Sequence, residues 1–91
     1  VNRSDILQQA DDLINNDRAR QHGDVKKTFA DIAARWSSLT ETPLEPADVA
    51  LMLIELKVVR AAHNPKHADN WRDIIGYAAL GAEVAGAADA E

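Results

Sequence analysis

Between Pro46 and Pro65 lies an apolar run that constrains what the chain can fold into. Val49 through Ile54, then Leu56, Val58, Val59, Ala61 and Ala62, cover nearly the whole circumference of a helix over residues 46–63. A helix apolar on most sides is central, so neighbouring helices or another subunit must cover it. Pro46 suits the first turn, where its missing N–H costs nothing, and Asn64-Pro65 ends the segment.

Three further segments share the helical period, and none has the strict alternation of a strand. Over residues 5–15, Ser4 and Asp5 are N-cap types. Ile6, Ala10, Leu13 and Ile14 then make one narrow stripe, which Asn15, Asn16 and Asp17 terminate. Gly23 and Asp24 open a helix over 25–37, with Val25, Phe29, Ile32, Ala33 and Trp36 on one face and Ser37-Ser38 loosening its end. The last helix spans 69–84 from an Asp69 N-cap, and it too is apolar on more than one side. The Ala/Gly/Asp-rich tail 86–91 reads as frayed.

The expected fold class is all-α: a single domain over residues 1–91, built as a four-helix bundle. Two nearly all-round apolar helices leave more surface than two amphipathic partners can cover. A homodimer or higher homo-oligomer is the expected completion, against a monomeric bundle with its small residues facing out.

Composition removes several function classes. The net charge of −5 argues against duplex DNA as a partner. The chain has no cysteine, so disulfides and thiolate metal sites are absent, which fits a cytoplasmic protein. Arg3, Asp5, Asp11 and Asp12 interrupt any signal-like apolar run. The strongly apolar stretch Val49–Ile54 falls far short of the ~20 residues of a bilayer helix, so no membrane association is expected.

A few polar residues interrupt the apolar helices. Asp48 and Glu55 project from nearly one face of the 46–63 helix, and Asn70 and Asp73 share a face of the next. Together they would make an oxygen-lined pocket of the kind Mg²⁺ takes. The alternative is that Asp48 complements its helix dipole and Glu55 is ordinary surface. Lys57 and Arg60, with Arg18, Arg20 and His22, would form a cationic rim for phosphate oxygens; otherwise they are solvated charges, and Arg18 is the most surface-like. His63 and His67 are separated by Asn64-Pro65 and make no zinc motif. Gly76, Gly81 and Gly86 do not form a P-loop. Trp36, Trp71 and Tyr77 are expected in the core, with one of them available to a nucleobase.

The run from Asp48 to Arg60, the segment from His63 through Asp73-Ile-Ile-Gly-Tyr77 to Leu80, and Asp17-Arg-Ala-Arg-Gln-His-Gly-Asp24 followed by Phe29, Ile32 and Trp36 resemble a small domain. That domain is common in phages and prophages and has been related to dATP/dGTP diphosphohydrolases; the resemblance covers about residues 6–84. It is similar in turn to the MazG-like all-α pyrophosphatases, which cleave nucleoside triphosphates to the monophosphate and pyrophosphate with Mg²⁺. Their ligands come from a Glu-Glu-x-x-Glu motif on one helix and Glu-x-x-Asp on the next. Here Asn70-Trp-Arg-Asp73 stands at the second motif with Asn for Glu, while Leu51 and Met52 occupy glutamate positions of the first.

The resemblance implies Mg²⁺ at Glu55 and Asp73, with Asn70, Asp48 and Asp24 completing the site. Arg20, His22, Lys57 and Arg60 would hold the nucleotide phosphates. Three functions follow as expectations: a Mg²⁺-dependent (d)NTP pyrophosphohydrolase, a nucleotide-binding protein without turnover, and a phage-type helical protein-interaction or regulatory module. Whether the chain is an enzyme stays open at this point.

Overall fold

The structure, a computed structural model, describes residues 1–16 and 24–89. The expectations placed on Arg18, Arg20, His22 and Gly23, and on the last two residues of the tail, lie outside the described residues. The described residues form an all-α bundle of four helices without a strand: α1 (Arg3–Asn15), α2 (Val25–Thr40), α3 (Pro46–His63) and α4 (Ala68–Ala85). No helix among them is long and apolar enough to cross a membrane.

Local chemistry sets the helix ends. Asn2, rather than Ser4 or Asp5, caps α1: its side chain accepts from the Asp5 N–H at 2.9 Å, and Asp5 accepts from the Asn2 N–H at 3.1 Å. This reciprocal pair satisfies two free donors at once, which explains why the cap lies earlier than Ser4. Asp24 caps α2 by accepting from the Lys26 N–H at 2.9 Å. That helix runs through Ser37 and Ser38 to Thr40, because the Ser37 hydroxyl donates to the Ala33 carbonyl at 2.7 Å instead of competing for the helix. The same oxygen accepts from the Leu44 N–H at 2.8 Å and ties the following loop back. Glu41 ends α2 in the left-handed region at φ 55°. Pro46 opens α3 as its first helical residue.

The α3–α4 hairpin is the centre of the fold, with α1 docked on α4 and α2 docked mainly on α3. Its close approach depends on Gly81, where a Cβ would stand 2.9 Å from the Ala50 Cβ. Gly76 does the same for α1, at 3.3 Å from the Ile14 Cγ2. The core gathers Phe29 and Ala33 of α2 with Val49 and Ala50 of α3, flanked by Val25, Ile32, Trp36, Leu53, Leu80 and Val84. Trp36 and Tyr77 are half-buried. Trp71 departs from the core expectation: it is 48% exposed, and its indole N–H donates to the Pro65 carbonyl at 2.8 Å.

This arrangement leaves much of α3 bare. Leu51, Met52, Leu56, Val58 and Val59 are between 41% and 59% exposed. The helix buries Val49, Ala50 and Ala61, keeps Leu53 and Ile54 half-buried, and turns these five side chains outward.

Candidate functional site

Two features of the α3–α4 hairpin bear on function: a polar cluster between the helices and the bare apolar face of α3. In the cluster, Lys57 of α3 meets Asp73 of α4 at 3.0 Å, each about a fifth exposed. The Arg72 guanidinium lies 3.7 Å from the other Asp73 oxygen and 3.2 Å from Asp69. His67 stands 3.5 Å from Asp69. Asn70 is buried beside Asp69 on the first turn of α4. Two cations therefore face two carboxylates, so the cluster is close to neutral and offers little net attraction for an anion.

The Arg72 Nε is buried and makes no hydrogen bond among the described residues, so the Asp73 carboxylate shields two cations while bonding well to one. Removing Asp73 would leave Lys57 without a partner in a mostly buried position. An exposed pair contributes about 0–1 kcal/mol, and breaking a fully buried one costs about 3–5. We expect Asp73→Asn to lose about 1–3 kcal/mol of stability, between those limits. A urea titration checks it, and a loss below about 0.5 kcal/mol would place the pair with ordinary surface charges.

The remaining sequence candidates are dispersed. Asp48 accepts from the Glu45 N–H at 2.8 Å and so belongs to the start of α3. Asp24 is the cap of α2. Glu55 and Arg60 are both exposed on α3. Lys57 and Asp73 come together, with Asn70 on the same helix as Asp73; Glu55, Asp48 and Asp24 do not join them.

The expected Mg²⁺ cofactor is therefore corrected. Among the described residues no three His, Cys, Asp or Glu side chains come close enough to hold a metal ion. The physical reason is competition for each ligand. Asp24 and Asp48 satisfy helix N–H groups, Asp73 is engaged by Lys57, and Glu55 faces outward.

Sequence reading also missed part of the cluster. Arg72 and Asp69 stand three residues apart on α4, a spacing that signals a pair on one helix face. The apolar face of α3 was signalled by the all-round pattern, without showing which side would stay bare.

A family model described as "Domain of unknown function (DUF6378)" matches residues 5–85. The chain is 40% identical over 76 residues to the Gene 55 protein of Mycobacterium phage L5, covering 82% of this chain and 49% of that protein. It is 34% identical over 73 residues to the Gene 55 protein of Mycobacterium phage D29, covering 80% of this chain and 48% of that one. The chain thus spans about half the length of these curated relatives. No solved structure matches it.

Proposed function

The chain belongs to the family described as Domain of unknown function (DUF6378), a small all-α phage-associated domain, and from that premise we propose that it works as a helical protein-interaction module. The single observation that carries this reading is the outer face of α3. Five large aliphatic side chains there stay about half exposed on one helix, whereas scattered single apolar residues are ordinary on a protein surface. Under this reading Lys57 and Asp73 hold α3 against α4, and Arg60 is a rim charge beside the apolar face. Turnover of a nucleotide triphosphate has no support from the ligand geometry, because the carboxylates it would need are spent elsewhere.

A contact face differs from a core in what its substitution costs the isolated chain. Burying a large aliphatic side chain contributes about 1.5–3 kcal/mol; a half-exposed one has at most about half of that to lose, and Gln keeps the methylenes nearest the backbone. Met52→Gln with Leu56→Gln should therefore change the stability of the dilute chain by less than about 1 kcal/mol. Denaturant unfolding at submicromolar concentration measures it. A loss of several kcal/mol would make these residues part of the domain's own core and end the interaction reading.

A further inference from the structure

We infer that the occupant of the bare α3 face is a second copy of this chain, packed as a two-fold antiparallel pair of α3 helices. The inference rests on the interaction reading and deepens it by naming the partner. Two observations carry it, one of area and one of charge.

Leu51, Met52, Leu56, Val58 and Val59 are about half exposed. Together these five side chains show on the order of 400 Å² of apolar surface. A standard interface buries about 800 Å² per partner, of which roughly 57–65% is apolar. The patch therefore supplies most of the apolar part of one such interface. An isologous contact can be made from this one patch used twice, without a second complementary surface.

Charge selects the orientation. Glu45 and Asp48 lie at the start of α3, whereas Arg60 and His63 lie in its last turn and Lys66 just beyond, with the exposed Glu55 midway and equally placed in either orientation. The segment from Lys57 to Arg72 has four Lys or Arg against the single carboxylates Asp69 and, by ion pairing across the hairpin, Asp73. Antiparallel pairing sets the acidic end of one α3 beside the basic end of the other and also opposes the two helix dipoles. Parallel pairing would stack like charge on like charge at both ends.

Sedimentation of the purified chain between about 1 µM and 1 mM reads the association directly against the 9.9 kDa mass of one copy. The expected result is a dimer that Leu56→Glu weakens at least about tenfold, with unchanged circular dichroism. Because the chain has no cysteine, single cysteines can carry spin labels without background. Labels on Glu45→Cys, Arg60→Cys and Lys66→Cys variants give orientation. At about 1.5 Å per helical residue, the inter-copy distances at 45 and 66 should exceed that at 60 by on the order of 10 Å.

A monomer throughout the range, or a dimer that Leu56→Glu leaves as tight as the parent, overturns the inference. Equal distances at the three positions mean a parallel pair and also overturn it. A monomer whose Met52→Gln/Leu56→Gln variant keeps parental stability removes the second copy alone. One whose variant loses several kcal/mol at every concentration removes the interaction reading as well.

Discussion

Phe29→Ala is expected to lose about 3–5 kcal/mol, a large part of the roughly 5–14 kcal/mol that a chain of this length commands. Phe29 is the chain's one phenylalanine and is only 6% exposed. Its buried neighbours are Ala33, Val49 and Ala50, with side chains of three helices packed around them. Alanines and a valine cannot reach into the space a benzyl group leaves, so the cavity would persist and add to the lost transfer energy. Equilibrium urea unfolding of the dilute variant gives the value. A loss below about 1.5 kcal/mol would mean that the core collapses around the site and is less closely packed than the structure shows.

Gly81→Val should cost a similar amount for the opposite reason. Replacing a helical glycine usually gains up to about 1 kcal/mol in backbone propensity, less for a β-branched residue. Here even the first added carbon would lie 2.9 Å from the Ala50 Cβ, and neither atom can swing aside as the tip of a flexible side chain would. The two extra methyl groups must separate α3 from α4 and strain the Lys57–Asp73 pair that joins them. Overpacking of this kind costs typically 1–3 kcal/mol, and a contact between helix backbones belongs at or above the top of that range. A variant as stable as the parent would show that the hairpin can open at this point without penalty.

These two positions also show what could be read in the chain and what could not. The all-α class was legible because Pro46, Asn64-Pro65 and Asp24 punctuate apolar runs whose spacing repeats every three or four residues. Periodicity tells which residues share a helix face, but it does not tell which faces meet. Lys57 against Asp73 and Ala50 against Gly81 are consequences of how α3 and α4 align, which no local pattern encodes. Asp73 therefore read as a candidate metal ligand when its partner is a lysine. Asp48 and Asp24 illustrate the commoner ambiguity, since a carboxylate at a helix start serves a cap as well as it would serve a cation. For the apolar face, the excess over what the bundle can cover was visible. Which side stays bare depends on α2 packing over Val49 and Leu53 and on α4 packing over Ala50.

The central claim is that the outer face of α3 is kept apolar for contact rather than for the fold of one chain. Thermal unfolding of the parent and of the Met52→Gln/Leu56→Gln variant, side by side over a hundredfold range of chain concentration, tests it most directly. A partner that binds only the folded state raises the melting temperature as its concentration rises. The parent should melt higher as it is concentrated, and the variant should stay at the parent's dilute value throughout. Two melting temperatures that are both independent of concentration, with the variant several degrees below the parent, would contradict the claim.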